Sequence, residues 1–250
     1  MSVTPAEAAR FERCCRDALL HERVRVGIGT LGERTLHVIL KHYFDENPAH
    51  HEQKIGRFVA DISDGTAVTE IQTRSFGSMR RKLAAFTPEH PVNIVYPIAA
   101  VRHITWVEPH TGELSARRKS PKAGKPWDAL IELYALRPMM PLANVTFTLV
   151  LLEMDEFRLK NGWGKEHKRG GARCERIPTA LVDIIRLETP RDYLALVPDV
   201  PEEFTSAEFA KAARMTRGTA GKALQTLVSL GAIEISDKKG NAFIYKRKEF

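Results

Sequence analysis

Several features that would assign a chain to a common functional class are missing from this 250-residue sequence. The longest apolar run, Val145 to Leu152, contains two threonines and stops at Glu153, well short of the ~20 residues that a membrane-spanning helix needs. The N-terminus has no hydrophobic block of the kind found in signal peptides. The three cysteines, Cys14, Cys15 and Cys174, form neither a CxxC pair nor an even disulfide set. We therefore expect a cytoplasmic protein with no membrane partner.

Motifs for zinc and for dinucleotides are absent or incomplete. The nine histidines include no H-E-x-x-H pattern, and no paired cysteines accompany them. Gly27-Ile-Gly29-Thr-Leu-Gly32 matches G-x-G-x-x-G, but a dinucleotide fold needs a second parallel strand that ends in an acidic residue about 20 residues later. The helix that follows ends instead at Asp45-Glu-Asn-Pro48. We expect no nucleotide cofactor.

Positive charge is what the chain has in surplus. It contains 38 Lys and Arg against 31 Asp and Glu, which gives a formal charge of +7. Such a surplus favours an anionic partner, and nucleic acid is the first candidate. The hydrophobic fraction of 43% is that of an ordinary globular protein, and the length allows one large domain or two smaller ones.

Hydrophobic periodicity predicts a mixed α/β order of elements. Helices are predicted at Pro5–Leu20, Thr30–Phe44, Ser78–Phe86 and Ala129–Leu136, and strands at Pro91–Ile98, Arg102–Trp106, Leu114–Ala116 and Val145–Glu153. Met154 to Pro178 is polar, glycine-rich and basic, which predicts a surface loop. We therefore predict an α/β domain over residues 1–155, a basic connecting segment over 156–200 and a separate domain over 201–250.

The segment from Gly56 to Thr73 carries the most informative pattern. It predicts a β-hairpin with Asp61 near the end of one strand and Glu70 and Gln72 on the next. Val68, Glu70 and Gln72 share one face, because side chains in a strand alternate. Two neighbouring carboxylates repel each other and are tolerated mainly when a divalent cation such as Mg2+ or Mn2+ neutralises them. The hairpin is therefore a candidate metal site.

Together with Glu33 on the preceding helix, this hairpin resembles the PD-(D/E)XK nuclease superfamily. Members have a helix with an acidic residue, a hairpin with Asp followed by (D/E)-x-K, and a further helix on a small mixed sheet. The match covers roughly residues 28–100. The resemblance implies a restriction-endonuclease-like α/β fold and Mg2+-dependent (or Mn2+-dependent) cleavage of phosphodiester bonds. It implies Glu33, Asp61 and Glu70 as metal ligands, and Asp61, Glu70 and Gln72 as catalytic residues.

Two positions depart from the superfamily pattern. Gln72 stands where lysine is usual, and a glutamine can orient a water but cannot contribute positive charge to a transition state. Ala60 stands where a proline often precedes the aspartate. Three functional hypotheses follow: an endodeoxyribonuclease, a catalytically inactive nuclease-like regulator that binds DNA, or a protein-interaction module for an acidic partner. The alternative is a surface hairpin whose scattered acidic residues form no functional site.

Basic residues follow the hairpin and recur further along the chain. The residues predicted to contact a phosphate backbone near the site are Arg74, Arg80, Arg81 and Lys82. Two basic segments, Arg117–Lys122 and Arg158–Arg173, also suit nucleic acid. Ordinary solvated surfaces have a similar composition, so both interpretations stay open.

From Pro201 the pattern changes to two helices followed by a hairpin. The helices are predicted at Ser206–Arg214 and Arg217–Leu230, and the strands at Ile233–Ser236 and Ala242–Lys246. This order is typical of a winged-helix domain, which binds DNA or docks a protein. The residues predicted to contact DNA are Arg217, Thr219, Lys222, Gln225, Lys238 and Lys239. The pattern is compatible with a monomer or a homodimer.

Overall fold

The chain adopts a mixed α/β fold in a computed structural model that describes residues 3–23, 32–160 and 173–250. The helices are α1 (Pro5–Arg23), α2 (Gly32–Phe44), α3 (Arg80–Phe86), α4 (Ala129–Tyr134), α5 (Ser206–Ala213) and α6 (Arg217–Ser229). The strands are β1 (His51–Ile55), β2 (Phe58–Ser63), β3 (Val68–Ile71), β4 (Val92–Val107), β5 (Arg118–Lys119), β6 (Val145–Leu159), β7 (Arg173–Leu187), β8 (Glu203–Thr205), β9 (Ile233–Lys239) and β10 (Ala242–Arg247).

The chain divides into two compact units, each built from three segments. Unit 1 comprises Met1–His51, Pro97–Gly124 and Val150–Ile184, and unit 2 comprises Glu52–Tyr96, Lys125–Leu149 and Ile185–Phe250. Boundaries fall inside β1, β4, β6 and β7, so each of these strands contributes to both units. The predicted division into 1–155, 156–200 and 201–250 stays a prediction.

One mixed sheet has the strand order β1-β2-β3-β4-β6-β7, and β5 pairs with β4. β2 runs antiparallel to β3, whereas β3 runs parallel to β4. A tight turn cannot join parallel strands, and the connection from β3 to β4 contains α3. The β2–β3 turn is closed by Asp64, whose carboxylate accepts hydrogen bonds from the backbone N–H groups of Thr66 and Ala67, and Gly65 supplies the positive φ of 89°.

β4 is longer than the sequence predicts. The segments Pro91–Ile98 and Arg102–Trp106, predicted as two strands, belong to one continuous strand. Pro97 lies inside it and lacks a backbone N–H, which removes one ladder donor but does not end the strand. The predicted turn after it is present, because Ser115 N donates to Trp106 O at 2.9 Å.

The predicted surface loop Met154–Pro178 is wrong at both of its ends. β6 continues to Leu159 and β7 already begins at Arg173, while residues 161–172 lie outside the described part of the chain. Charged residues in this stretch occupy a strand because the two faces of β6 differ. Met154 and Glu156 are buried, and the intervening Asp155 is partly exposed.

An aromatic cluster in unit 2 anchors the segment that leads into α3. Phe76 stacks on Phe147 with ring centroids 6.1 Å apart and meets Tyr96 edge-on at 5.2 Å. Leu83 and Phe86 bury one side of α3. Full burial of such side chains stabilises the fold by about 1.5–3 kcal/mol each. The cluster therefore fixes the segment that leads into α3 against β4 and β6.

The C-terminal elements follow the predicted order of helix, helix and hairpin. Thr205 and Glu208 form a capping box at the start of α5, with Thr205 N donating to the Glu208 carboxylate at 2.7 Å. Thr216 caps α6 through its hydroxyl. β8 adds a third strand, which the sequence did not predict, in the order β8-β10-β9. The winged-helix assignment itself stays a prediction.

In unit 1, α1 and α2 pack through Phe11 and Tyr43, whose rings meet edge-on at 5.5 Å. The predicted G-x-G-x-x-G segment falls largely on residues 24–31, outside the described residues. Within the described ranges, no helix has both the length and the apolar character needed to cross a membrane.

Candidate functional site

The β2–β3 hairpin makes Asp61 and Glu70 neighbours. Its register pairs Ile62 with Thr69 and Ser63 with Val68, and Asp61 and Glu70 are the next residues along the two strands. Directly opposed residues share a face, with Cβ atoms about 4.5–5.5 Å apart. Asp61 Oδ2 also accepts a hydrogen bond from Ile71 N at 2.8 Å, which ties this carboxylate to β3.

Glu70 is a buried carboxylate. It is 3% exposed, on a strand whose other neighbour is β4. Burial, and after it the negative charge of Asp61, raises the pKa of Glu70 to about 7, although the contact with Lys82 offsets part of the rise. Near neutral pH, both the ionised and the protonated forms of Glu70 are therefore populated. A cation beside the two carboxylates would favour the ionised form.

Lys82 supplies one cation to this site. Its Nζ lies 2.7 Å from Oε2 and 3.0 Å from Oε1 of Glu70, and its side chain is 26% exposed. The sequence predicts Lys82 as a nucleic-acid contact, but its ammonium group contacts Glu70. A role in binding phosphate stays a prediction for this residue. Sequence spacing alone could not reveal the ion pair, because it depends on where α3 lies against β3.

Gln72 follows β3 directly, and its side chain turns towards the backbone. Its Nε2 donates hydrogen bonds to the carbonyl oxygens of Arg74 and Ser75. Ser75 has a positive φ of 60°, so the amide stabilises an unusual turn that leads into the segment before α3. The positive charge that Gln72 lacks is provided at Glu70 by Lys82.

The third predicted ligand, Glu33, lies near the start of α2, and its side chain is outside the described part of the structure. Among the described side chains, no group of three or more His, Cys, Asp or Glu is arranged to hold a metal. Asp61 and Glu70 still fit a hard cation, since Mg2+ is commonly held by one or two carboxylates, with water and substrate phosphates completing its shell. Carboxylate oxygens suit Mn2+ as well.

The remaining basic residues near the site differ in their surroundings. Arg80 Nε donates to the carbonyl oxygen of Ala135 at 2.8 Å, just after α4. Arg74 and Arg81 are exposed. Their predicted contacts with phosphate stay predictions, and Arg80 also has a structural partner that the sequence did not indicate.

On α6, two of the predicted DNA contacts also lie against the region of α4. Lys222 Nζ is 5.6 Å from the centre of the Tyr134 ring, and the side-chain oxygen of Gln225 accepts a hydrogen bond from Arg137. Both residues are exposed. Any DNA contact they make would therefore use side chains already oriented by Tyr134 and Arg137.

The other predicted DNA contacts lie at the first turn of α6 and on the β9–β10 hairpin. Arg217 is exposed, and the hydroxyl of Thr219 is 2.8 Å from that of Thr216. Lys238 and Lys239 are exposed at the end of β9. Lys238 Nζ lies 5.8 Å from the centre of the Phe243 ring.

A family model described as a domain of unknown function, DUF8091, matches residues 34–188. The chain belongs to this family. Asp61, Glu70, Gln72 and Lys82 lie within the DUF8091 region, and the helices and hairpin after residue 201 lie beyond it. A comparison with curated proteins found no match, and a comparison with solved structures found none either.

Proposed function

We propose that this chain is a divalent-metal-dependent, endonuclease-like protein that binds DNA and cleaves phosphodiester bonds. The observation that carries the proposal is the pair of carboxylates on neighbouring strands, Asp61 on β2 and Glu70 on β3, which are close enough for the charge of Asp61 to raise the pKa of Glu70. Burying Glu70 beside a second acid is unfavourable for folding, as its raised pKa indicates. Unfavourable arrangements of this kind are common where titratable groups perform chemistry.

In the proposed reaction, Asp61 and Glu70 would hold Mg2+ or Mn2+. Such a cation would supply Lewis-acid chemistry, polarising the phosphate and lowering the pKa of a bound water. The chain's own residues orient this site: Ile71 N fixes Asp61, and the β3–β4 pairing fixes Glu70. The order of an antiparallel hairpin, α3 and a parallel β4 supports the restriction-endonuclease-like fold that the resemblance implies.

In this proposal Lys82 supplies the positive charge that Gln72 cannot contribute. Its ammonium group is at Glu70, where it would supply positive charge and N–H donors to a phosphate oxygen of the substrate. Gln72 is instead engaged by the turn at Arg74 and Ser75. We therefore assign the positive charge of the site to α3 rather than to β3.

The C-terminal elements are proposed to hold the duplex as a winged helix. The order α5, α6, β9 and β10, with exposed Lys238 and Lys239 in the hairpin, supports this. Replacing both lysines with glutamine should weaken duplex binding and reduce its salt dependence, because two phosphate contacts are lost. Lys246→Gln is the matched control, since Lys246 is paired with Glu234 on the same hairpin. Equal affinity in both variants would remove the hairpin from the interface.

Cleavage of supercoiled plasmid at pH 8 with Mg2+ or Mn2+ tests the catalytic proposal. Asp61→Asn and Glu70→Gln should lower the nicking rate by about 10²–10³ or more, in line with the loss of a group that stabilises a transition state. Lys82→Met should lower the rate with metal still bound. Glu89→Gln, an exposed acid in the same unit, should cleave normally. Nicking that survives in Asp61→Asn and Glu70→Gln, or that is absent from the unmodified protein with both metals, contradicts the proposal.

One observation favours a second candidate, a catalytically inactive nuclease-like regulator that binds DNA. Both oxygens of Glu70 are occupied by Lys82, and Gln72 is used by the backbone. A regulator would bind the duplex with the same affinity in EDTA and in Mn2+ and would leave the plasmid intact. The endonuclease would nick it only when the metal is present.

A further inference from the structure

Four aromatic side chains form a row from the core of the C-terminal elements to the surface of the β9–β10 hairpin. Phe209 of α5 and Phe204 of β8 are buried, with ring centroids 6.1 Å apart. The Phe204 ring also lies 6.1 Å from that of Tyr245 on β10, and the Tyr245 ring lies 6.5 Å from that of Phe243. We call these four residues the aromatic row. It begins in the core and ends at Phe243, which is 45% exposed.

The exposed end of the row continues a packed core. Tyr245 is partly buried, and this burial raises the pKa of its hydroxyl. Ile235, which pairs with Tyr245 in the register of the hairpin, is 47% exposed. A single exposed apolar side chain is ordinary, whereas neighbouring ones that form a patch mark an interaction site more often. The aromatic row therefore presents part of its last ring, beside a second apolar side chain, to solvent.

The two faces of this hairpin carry different charges. Phe243 pairs with Lys238, whose Nζ lies 5.8 Å from the centre of the Phe243 ring. Side chains alternate along a strand, so Asp237 lies on the face opposite to Lys238. Glu234 and Lys246 lie on that other face as well, where they pair with each other at 3.2 Å. Among the residues of β9 and β10, the charge beside the exposed ring is therefore positive, and the acidic side chains lie behind it.

We propose that the exposed end of the aromatic row binds an unpaired nucleotide, whose base stacks on Phe243 while Lys238 contacts its phosphate. An exposed ring beside a cation fits a ligand that is both aromatic and anionic, and base stacking on aromatic side chains tolerates any sequence. Bases inside a duplex are already stacked and paired, so a single-stranded segment must supply the free base. The inference rests on the proposed function for nucleic acid as the ligand, and it adds DNA with a single-stranded segment as the substrate class.

Fluorescence anisotropy in EDTA, with a fluorescein-labelled oligothymidine strand and with a blunt-ended duplex, tests this proposal. Phe243→Ala should weaken binding of the strand roughly 5- to 150-fold, the range expected for one stacked base, and should leave duplex affinity unchanged. Phe250→Ala is the matched control, because Phe250 is 57% exposed and lies outside the aromatic row. It should bind the strand normally.

The salt dependence of strand binding tests the part assigned to Lys238. In Lys238→Gln, the slope of log affinity against log salt should become less steep by about 0.7, the value for one phosphate contact on a single strand. Lys246→Gln removes the same charge from the other face of the hairpin and should keep the original slope. Equal slopes in the two variants would overturn the phosphate contact.

Phe243→Trp tests stacking directly and keeps a ring at this position. A stacked base quenches indole fluorescence, so a saturating concentration of the strand should lower the emission of this variant by more than that of the unmodified protein. Far-UV circular dichroism identifies a variant that fails to fold, and if Phe243→Ala does so, the tryptophan variant decides the question. Equal quenching in Phe243→Trp and the unmodified protein would contradict stacking.

The strand and the duplex together separate this inference from the proposed function. Equal strand affinity in Phe243→Ala and the unmodified protein overturns the stacking site, even if the duplex is bound and the plasmid is cleaved. Strand binding that depends on Phe243 supports the site, even if neither duplex binding nor cleavage is found. Absence of binding to both ligands overturns the site and the proposed DNA binding alike. A dimer in sedimentation velocity that dissociates in Phe243→Ala would show that a second copy covers the ring, and would also overturn the proposal.

Discussion

The raised pKa of Glu70 makes folding stability depend on pH in a way that Glu70→Gln should abolish. The ordinary pKa is 4.5, and burial together with Asp61 raises it to about 7 in the folded chain. Between these values the folded state binds more protons than the unfolded state, so stability falls as the pH rises. The contribution is fully present below pH 4.5 and is lost once the pH exceeds 7.

The size of the effect follows from the shift itself. One unit of pKa corresponds to about 1.4 kcal/mol, so ionised Glu70 lowers stability by roughly 3 kcal/mol well above pH 7. Between pH 5.5 and pH 8.5 the change amounts to about 2 kcal/mol. Glutamine does not ionise, so the free energy of unfolding of Glu70→Gln should rise relative to the unmodified protein by that amount across this interval.

Urea denaturation followed by tryptophan fluorescence at pH 5.5, 7.0 and 8.5 measures this difference. Glu89→Gln, in which an exposed acid is replaced, should show no comparable pH dependence. A stability difference between Glu70→Gln and the unmodified protein that stays constant with pH would refute the reasoning. So would a difference that decreases towards pH 8.5.

Two further predictions concern local structure, and urea denaturation at pH 7 measures both. Thr205→Ala removes the side-chain acceptor of the α5 capping box and should lower the free energy of unfolding by about 1 kcal/mol; no loss would mean that Glu208 caps the helix unaided. Gly221→Ala should raise stability by about 0.5–1 kcal/mol, because the added methyl group in α6 meets nothing within 4 Å. Gly124→Ala should lower it by about 1–3 kcal/mol, because the new Cβ would lie 2.6 Å from a methyl group of Ile98. The same sign for both glycine variants would contradict these packing arguments.

The hairpin could be predicted from sequence because its information is local. Asp64 and Gly65 specify the turn, and alternation along β2 and β3 then makes Asp61 and Glu70 neighbours. The caps Thr205 and Thr216 are local in the same sense. The hairpin and the two C-terminal helices were predicted to within a few residues of their observed bounds.

What could not be predicted depends on contacts between distant parts of the chain. Lys82 meets Glu70 because buried side chains hold α3 beside β3, and no pattern in the sequence specifies that distance. The charged end of β6 resembled a loop, because the partners of Glu156 come from β4 and β7. From sequence alone a charged residue is expected to be exposed, because its partners on other strands are not known.

Binding of Mn2+ at pH 8, measured by isothermal titration calorimetry, tests most directly whether Asp61 and Glu70 form a cation site. The unmodified protein and Glu89→Gln should bind Mn2+, and Asp61→Asn should lose that binding. At pH 6 the affinity of the unmodified protein should fall about tenfold, because protonation of Glu70, with its pKa of about 7, competes with the cation. Absence of binding by the unmodified protein, or equal binding by Asp61→Asn, would contradict the metal site.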